Sequence, residues 1–546
     1  MWWLILLELA VTLAVTLAAC RFYLHMFQLE SYQLDGYNRW LKANRARVLG
    51  WTLRTGLIAS LIALVFPVVL SLLFTGEISR SRSIAGILAA AFCAVYGGYN
   101  VYADYTARQK KPMIFTGRMK RLCAVLSVLC AVLLALWLLI LKRDDTANSG
   151  YVLTYIPPFA FVIFAPYLTE AAGFCAQPWE KAINRRFFTM AQNKLAARKD
   201  LIKIGITGSY GKTSTKFCLA SILSVRYNVL ASSSSVNTPM GLSKMINNDL
   251  NEKHQVLIAE MGARHVGDIR ELVELVHPRY GLLTSVGPQH LETFGSQQAI
   301  SNTKFELIQG LPKNGCGFFA ADDGEVDKLY ARAKCVKRRT GFGSGEMDLR
   351  VENVEVGGFG SRFTLTNANG ESVRCETRLL GRHNISNIAL CAAAALEIGL
   401  TMDEVAEGIS RIQPVEHRLQ VIPGALTVID DAFNSNPVGA KRALDVLKAF
   451  PGKHLIITPG FVELGRDEKK FQYELGTQIA EACDAAILVG PKHTEPIRDG
   501  LLKSGFDPNA IRVVRTLDEA SKLIRTLIGN GDTVLFENDL PDNYTE

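Results

Sequence analysis

The sequence predicts an α-helical membrane region of about five spans, followed by two α/β domains. Long apolar stretches are confined to the first third of the 546 residues, whereas strands and helices alternate from about residue 200 onward. Stretches of this length suit helices that cross about 30 Å of hydrocarbon, and the alternation is typical of a parallel sheet. We therefore expect a membrane region at 1–173, a basic linker at 174–199, and α/β domains at 200–420 and 421–546.

Five stretches are apolar enough to span a membrane: 1–20, 57–74, 84–103, 122–141 and 151–168. The first has no basic leader and further spans follow it, so we expect it to be retained rather than cleaved as a signal peptide. Buried helices of a soluble all-α domain are the alternative, but such helices normally keep a polar stripe. Pro157, Pro158 and Pro166 make the fifth span the weakest, and we expect it to be kinked or re-entrant.

Basic residues mark one side of the predicted membrane region. They cluster after the first, third and fifth spans, at 21–47, 108–120 and 181–199, while the other loops carry few. The positive-inside rule therefore places the N-terminus outside and everything after about residue 170 in the cytoplasm, as in a multi-pass plasma-membrane protein. The formal net charge of +8 is concentrated in these loops, which favours membrane lipids as partners and argues against nucleic acid.

A glycine-rich turn follows the first strand after the spans. Residues 201–216 run from an apolar strand through Gly211 into Lys212 and Thr213. Backbone N–H groups and a helix dipole converge at such a turn and suit phosphate oxygens. Lys212 would reach the outer phosphates of ATP and Thr213 would hold Mg²⁺. Ile206 stands where the common pattern has a glycine, so a structural turn is the alternative. The residues predicted to bind ATP here are Gly208, Ser209, Tyr210, Gly211, Lys212, Thr213 and Ser214.

Polar residues follow the next strands. Glu260 ends one strand and His290 follows another, and in doubly wound sheets these strand ends meet at the ligand crevice. Both could hold Mg²⁺, although an isolated histidine is more often structural. Lys304 lies on the next helix, where spacing alone favours a solvated lysine. Strands are predicted at 201–206, 256–260, 280–286, 317–321, 426–430, 454–458, 485–489, 511–514 and 533–536, with an antiparallel hairpin in 348–380 around an Asn-Gly turn.

Several ordered motifs resemble the Mur ligase family. They are Thr207–Thr213, Glu260–Ala263, Gly287–Glu292, Gly381–Asn384 with Asn387, Arg418, and Asp430–Pro437. The resemblance implies a P-loop-type central domain, a Rossmann-like C-terminal domain and ATP-dependent formation of an amide bond. In that chemistry ATP phosphorylates a substrate carboxylate, and an amine then displaces phosphate from the acyl phosphate.

The resemblance also implies roles for individual residues. Lys212, His290 and Lys304 would be catalytic, with Thr213, Glu260, His290 and Lys304 serving the metal, and Lys304 would carry a carbamate. The nucleotide-facing residues would be His383, Asn384, Asn387, Arg418 and Asp431, and the loop that faces the carboxylate substrate would include Asn237 and Thr238.

Some regions depart from the family pattern. The family's UDP-binding N-terminal domain is replaced by the predicted spans, and the loops at 459–462 and 536–541 differ from those of the dipeptide-adding members. We expect a cell-wall muropeptide precursor, soluble or lipid-linked, and an amino acid or dipeptide as substrates. Residues 22–47 are interpreted as an aromatic and basic loop at the headgroup layer. The alternatives are a polyglutamate-type ligase, a non-catalytic nucleotide-binding scaffold and an ATP-driven transporter.

Overall fold

The N-terminal third of the chain is helical. The computed structural model describes residues 2–48, 50–73, 78–106, 112–144, 158–233, 236–321, 324–342, 345–358, 360–433, 436–462, 464 and 467–537. The chain divides into two units, residues 1–183 and 184–540. The helices of the N-terminal third are α1 (Trp2–Leu29), α2 (Leu34–Ala43), α3 (Arg45–Val48), α4 (Gly50–Leu73), α5 (Ile78–Phe92), α6 (Gly98–Thr106), α7 (Gly117–Asp144) and α8 (Ala165–Ala197).

Five helical stretches within the described residues are long and apolar enough to cross a membrane, in agreement with the predicted number. They are Trp3–Leu29, Gly50–Val69, Ile84–Thr106, Gly117–Leu139 and Phe159–Ala197. The fifth begins as a 3-10 helix, Pro158–Phe164, and continues as α8. Pro166 lies in the first turn of α8, where a missing N–H costs no hydrogen bond. Residues 151–157 of the predicted fifth span lie outside the described residues, and the predicted linker at 174–199 lies largely within α8.

The interpretation of residues 22–47 as a loop was wrong. Helix α1 continues to Leu29, and α2 follows after a short turn. Tyr37 is buried on α2, and its hydroxyl donates to the carbonyl of Pro166 at 3.0 Å. Tyr37 and Leu41, one helical turn apart, pack inward together, as in an amphipathic helix. The alternation of aromatic and basic residues therefore reflects two faces of one helix.

A nine-stranded sheet forms the first part of the second unit. The order is β2-β3-β1-β4-β5-β6-β7-β8-β9; pairing is parallel from β2 through β7 and antiparallel from β7 to β9. The strands are β1 (Ile202–Thr207), β2 (Val229–Ala231), β3 (Val256–Glu260), β4 (Tyr280–Leu283), β5 (Cys316–Ala320), β6 (Val336–Phe342), β7 (Leu349–Gly357), β8 (Gly360–Asn367) and β9 (Ser372–Thr377).

Helices cover both faces of this sheet. One face carries a core built from α9 and α15, and the other a core built from α10, α11 and α13. The helices are α9 (Lys212–Leu223), α10 (Pro239–Asp249), α11 (Asp268–Val276), α12 (Leu291–Phe294), α13 (Gln297–Gln309), α14 (Gly324–Arg332), α15 (Arg382–Ile398) and α16 (Met402–Ser410). The predicted hairpin in 348–380 is a three-stranded meander that extends the same sheet.

A second sheet of six strands follows, in the order β10-β11-β15-β12-β13-β14. Only β10 is antiparallel to its neighbour. All five strands predicted in this part are confirmed to within a residue. The elements are β10 (Gln420–Ile422), β11 (Thr427–Asp431), β12 (His454–Thr458), β13 (Ala485–Val489), β14 (Ile511–Val514), β15 (Thr533–Glu537), α17 (Pro437–Leu447), α18 (Glu468–Ala482), α19 (Glu495–Lys503) and α20 (Leu517–Leu527).

Candidate nucleotide and metal site

The glycine-rich turn joins the end of β1 to the start of α9. Gly208 and Gly211 have φ of 154° and 80°, in the region that favours glycine. A Cβ at Gly208 would lie 2.0 Å from Oγ1 of Thr284, and one at Gly211 would lie 3.0 Å from the side-chain amide of Asn387. Both positions therefore require glycine, for backbone conformation and for space.

The segment after β4 braces this turn. Ser209 donates from its backbone N–H to Ser285 at 2.6 Å and from its hydroxyl to the carbonyl of Gly287 at 3.0 Å. The Tyr210 hydroxyl donates to the carbonyl of Pro288 at 2.7 Å. Because two neighbouring loops hold each other, the turn is organised before any phosphate binds.

Lys212 folds back over the turn. Its Nζ donates to the carbonyls of Gly208 at 2.7 Å and Ser209 at 3.0 Å. Burial lowers the pKa of Lys212 to about 8; the carboxylate of Glu260 opposes this shift and the charge of Arg418 adds to it. Two carbonyls of its own turn thus hold the Lys212 ammonium at the glycine-rich turn, and its role with the outer phosphates stays a prediction.

Glu260, at the end of β3, is the centre of a buried polar cluster. Its carboxylate accepts from the Thr213 hydroxyl at 3.2 Å, the Lys216 ammonium at 3.0 Å and the Asn237 amide at 3.3 Å. The structure thus brings together Thr213, Glu260 and Asn237, three of the predicted site residues. Hydroxyl and carboxylate oxygens are ligands that suit Mg²⁺, so these residues fit the predicted metal.

Lys216 is the member of the cluster that sequence reasoning missed. It is fully buried, and its Nζ also donates to the carbonyl of Ser233 at 3.1 Å. Burial lowers the pKa of Lys216, and the charge of Glu260 opposes part of this shift. The available signal was its spacing: it follows Lys212 by one helical turn, on the same face of α9. A buried lysine needs a charged partner, and here that partner is Glu260.

Lys304 is buried rather than solvated. Only 1% of the side chain is exposed, on the face of α13 that packs against the sheet, so the expectation from spacing alone was wrong. Within the described residues no hydrogen bond or ion pair holds its ammonium group. Burial and the nearby charge of Lys212 lower the pKa of Lys304 well below its usual value, with Asp268 opposing. The lowered pKa favours the neutral form of the Lys304 amine.

His290 stands at the edge of the site, where it precedes α12 with a left-handed φ of 52°. The loop that leads to it is the one that braces Ser209 and Tyr210. Among the described residues, no three His, Cys, Asp or Glu side chains group as a metal site by themselves. A metal here would therefore take Thr213, Glu260 and oxygens of the nucleotide, the donor set expected for Mg²⁺ bound with phosphates.

Arg418 reaches the turn from the segment between the two sheets. Its Nη2 donates to the Thr213 hydroxyl at 3.3 Å, and its guanidinium lies 4.5 Å from the ring centroid of Phe433. The neighbouring Leu419 donates its N–H to Asp431 at 3.1 Å. Burial raises the pKa of Asp431 to about 6, opposed by this bond and by Arg418. Arg418 therefore lies at the glycine-rich turn, and the prediction that it faces the nucleotide stays a prediction.

The remaining predicted residues take different positions. Asn387 lies against Gly211, whereas Asn384 donates to the carbonyl of Leu380 at 2.8 Å. Desolvation, aided by the charge of Arg442, lowers the pKa of His383 to about 3. Thr238 caps α10 by accepting from the N–H of Gly241 at 3.3 Å. Ser214 is half-buried in the first turn of α9.

The site combines three features: a glycine turn held by a neighbouring loop, a lysine over that turn, and a buried carboxylate beside a threonine. Together they define a nucleotide-triphosphate-binding α/β protein. Comparisons with known proteins narrow this class. Residues 206–395 match the Mur ligase middle domain, and residues 417–537 match the Mur ligase, glutamate ligase domain.

Proteins of known sequence and proteins of solved structure resemble this chain over these two domains. The UDP-N-acetylmuramoyl-tripeptide–D-alanyl-D-alanine ligase of Escherichia coli K12 is 30% identical over 60% of this chain and 73% of its own length. The ligase of that name from Mycobacterium tuberculosis H37Rv is 38% identical over 61% and 69%. Two crystal structures have a similar fold. MurF from Acinetobacter baumannii matches with a TM-score of 0.60 and 26% identity, over 65% of this chain and 77% of that one. MurF from Thermotoga maritima in complex with ADP matches with a TM-score of 0.58 and 25% identity, over 65% of this chain and 80% of that one.

The chain belongs to the Mur ligase family. It is an ATP-dependent ligase that forms a carbon–nitrogen bond on a cell-wall peptide precursor.

Proposed function

We propose that this protein is a membrane-anchored ligase that joins a muramoyl tripeptide to an incoming amine, with D-alanyl-D-alanine as the first candidate. The observation that carries the proposal is the organised cluster of Lys212, Thr213, Glu260 and Arg418, which combines a phosphate cradle with an anionic metal position. The names of the relatives support the tripeptide and the dipeptide.

The residues of the chain suggest how the reaction proceeds. The substrate carboxylate attacks the terminal phosphate of ATP, ADP leaves, and an amine then attacks the acyl phosphate and releases phosphate. Two anionic reactants approach each other only if their charges are screened. Lys212, Arg418 and the start of α9 supply that screening, so positioning and electrostatics provide most of the catalysis. Mg²⁺, when bound by Thr213 and Glu260, would supply a divalent charge that offsets the negative charge of the reactants.

Lys304 supplies a second anionic position in this proposal. A neutral amine reacts with CO₂ to give a carbamate and a proton, which converts an uncharged side chain into an anion. Burial lowers the pKa of Lys304 and so favours the neutral amine that reacts, and the nearby positive charge of Lys212 favours a negative charge at this position. The carbamate would then serve as a further oxygen ligand for a metal.

We further propose that the chain crosses the plasma membrane five times with the ligase in the cytoplasm. The length and composition of the five helical stretches and the asymmetry of the loop charges support this topology. Single cysteines can be introduced at 77 and 148 on the outer side and at the exposed positions 39 and 199 on the inner side. A membrane-impermeant maleimide added to intact cells should label only the outer pair above the background of the parent chain. Labelling of the inner pair alone would contradict the topology.

The helical region occupies the place of the UDP-binding domain, so we propose that the tripeptide is presented on a lipid. Confinement to the membrane raises the effective concentration of a lipid-linked substrate without new contacts. Phosphate release by the full chain in nanodiscs should be compared for lipid-linked and UDP-linked tripeptide, each with D-alanyl-D-alanine or a single amino acid. A higher kcat/KM for the lipid-linked substrate is expected. A preference for the UDP-linked form would overturn this part of the proposal, and Lys212→Ala is the control for ATP-dependent release.

The incoming amine is the least constrained substrate. The loop at 459–462 differs from that of dipeptide-adding members, and Phe461 is buried there. Gln472 holds Phe461 through both its N–H, at 3.1 Å, and its carbonyl, at 2.9 Å. A Cβ at Gly460 would lie 2.2 Å from the Gln472 side chain, so the loop packs closely against that side chain. The changed sequence of this loop leaves the identity of the amine open, and the panel of amines tests it directly.

A further inference from the structure

A cavity in the helical unit lies apart from the ligase site. Its volume is about 340 Å³, near the lower end of the roughly 300–1,000 Å³ typical of small-ligand sites. Ala18, Arg21, Phe22 and His25 form one wall. Their spacing of three and four residues places them in a single strip along α1. The opposite wall comes from α6 and from the segment that contains Pro112 and Met113.

The second wall repeats the same helical spacing. Val101, Asp104 and Tyr105 of α6 face the strip on α1. The guanidinium of Arg21 lies 4.4 Å from the ring centroid of Tyr105, and this contact connects the two walls. One carboxylate oxygen of Asp104 accepts from the indole N–H of Trp51 at 3.0 Å. The lining therefore offers a fixed guanidinium, an imidazole and an oriented carboxylate in one small space.

The position of the cavity along α1 indicates its depth. Arg21 follows Trp3 by 18 residues, which corresponds to about 27 Å of helix. That length nearly crosses about 30 Å of hydrocarbon, so Arg21 and His25 would lie at the far headgroup layer. This step rests on the proposed membrane topology, which puts that layer on the cytoplasmic side.

We propose that this cavity binds the phosphate-linked sugar headgroup of a lipid. A guanidinium pairs with phosphate oxygens in a fork geometry that a lysine cannot reproduce. A bare anion would be repelled by Asp104, whereas a sugar provides hydroxyl and amide donors that a carboxylate accepts. Phe22, Met113 and Tyr105 supply the apolar surface on which a sugar or the first part of a lipid chain can pack. The mixed lining thus fits a phosphate and a sugar together better than either alone.

The proposal deepens the proposed function, since a ligase that acts on a lipid-linked muropeptide needs a place to hold the lipid end. It assigns that role to residues outside the nucleotide site. Binding at this cavity can be measured without ATP and without ligation, which separates the two ideas.

The experiment uses the full chain in phosphatidylcholine nanodiscs that contain polyprenyl phosphate bearing one N-acetylhexosamine, with retained lipid measured by native mass spectrometry after release. The parent should retain the glycosylated lipid. Arg21→Gln should lower retention about tenfold, the loss expected for one charge-assisted interaction. Asp104→Asn should weaken retention of the glycosylated lipid but not of plain polyprenyl phosphate. The exposed Arg45→Gln and Asp35→Asn are matched controls that should retain lipid as the parent does.

Three results would overturn the proposal: parental retention by Arg21→Gln, equal retention of phosphatidylglycerol by the parent, or binding of soluble N-acetylhexosamine 1-phosphate without retention of the lipid. Unchanged thermal unfolding of the two cavity variants excludes a folding defect as the cause of lost retention. If the proposed lipid-linked substrate is wrong but the cavity proposal is right, the chain would still retain the glycosylated lipid and would turn over only the UDP-linked tripeptide.

Discussion

Helices α7 and α15 are both rich in apolar residues, yet they place these residues in opposite environments. In the membrane-length stretch Gly117–Leu139 of α7 only 22% of the window is buried, and Val128 and Leu139 are each 63% exposed. In α15, twelve of 17 residues are buried against the nine-stranded sheet. The two regions are therefore suited to different solvents: the helical region presents apolar side chains outward, and the α/β unit buries them.

Buried carboxylates are paired with cations in both regions. In the α/β unit the buried charges Lys216 and Glu260 pair with each other at the strand ends. In the helical region Glu180 is buried and receives two hydrogen bonds from Arg121, at 2.6 and 3.0 Å. If the α/β unit carries the chemistry and the helical region carries the anchor, substitutions at the strand ends should change catalysis and stability without changing membrane integration.

The largest effect is expected from Lys216→Met. This substitution leaves the Glu260 carboxylate buried without its cation, and breaking one side of a buried pair typically costs about 3–5 kcal/mol. Denaturant unfolding of the full chain in detergent, without Mg²⁺, should register that loss, and Mg²⁺ should recover part of it. The double variant with Glu260→Gln should be more stable than the single one. A single variant as stable as the exposed control Lys441→Met would contradict the pairing.

Next in size is the loss of catalysis in Lys212→Ala. Removing the cation that faces the outer phosphates should lower ATP turnover by about 10²–10³-fold. Membrane extraction and thermal unfolding should match the parent, because the two hydrogen bonds of the Lys212 ammonium go to carbonyls of its own turn. Near-parental turnover would remove the phosphate role from Lys212, and any loss in Lys441→Ala would point to a nonspecific effect.

For Lys304→Ala we expect activity to fall on the order of 10–100-fold, as for the loss of a group that supports a metal. Short carboxylates should restore part of it by filling the vacated space with an anion. The variant Lys304→Met, which keeps the volume, should lose activity to a similar extent and show no such rescue. A carbamate carbon signal in the parent after exposure to ¹³CO₂, absent from both variants, is the independent readout. Parental activity in Lys304→Ala would refute the carbamate.

The smallest effect concerns pH and His383. Its pKa falls from an ordinary 6.5 to about 3 on folding, so the folded chain keeps the ring neutral where the unfolded chain takes up a proton. Stability is therefore complete above pH 6.5 and is lost as the pH falls from 6.5 toward 3, by about 1 kcal/mol at pH 5.5. Thermal unfolding at pH 7.5 and 5.5 should show this loss in the parent and a smaller one in His383→Gln. Equal pH dependence in both would rule out His383 as its source.

Periodicity made most of the fold predictable. The five membrane-length helical stretches and the longer parallel strands are runs of apolar residues, and such a run predicts an element without information about distant partners. Strand β2 has three residues, and β6 carries Lys337, Arg338 and Arg339. Sequence reasoning missed both strands because partners elsewhere in the fold stabilise them. The basic side chains of β6 form ion pairs with neighbouring helices: Arg338 with Glu397 of α15 at 3.0 Å, and Arg339 with Asp327 of α14 at 2.7 Å.

The site was predictable where local sequence builds it. The turn from Gly208 to Thr213 depends on neighbouring residues, and its roles follow from their order. Burial of Lys304 and Lys216 depends instead on what other elements bring against α13 and α9, which no local pattern encodes. Likewise, the inward direction of Tyr37 depends on a carbonyl at Pro166, 129 residues away.

The resting state of the nucleotide site has one more consequence. Lys212 is held by two carbonyls of its own turn, and Lys216 by Glu260 and Ser233, so both ammonium groups have internal partners before any nucleotide arrives. A visiting anion must replace those bonds, which a single orthophosphate does poorly and a magnesium-bound triphosphate can do at several points at once. Because both lysines already have partners, we expect the site to favour a magnesium-bound triphosphate over small phosphates such as orthophosphate.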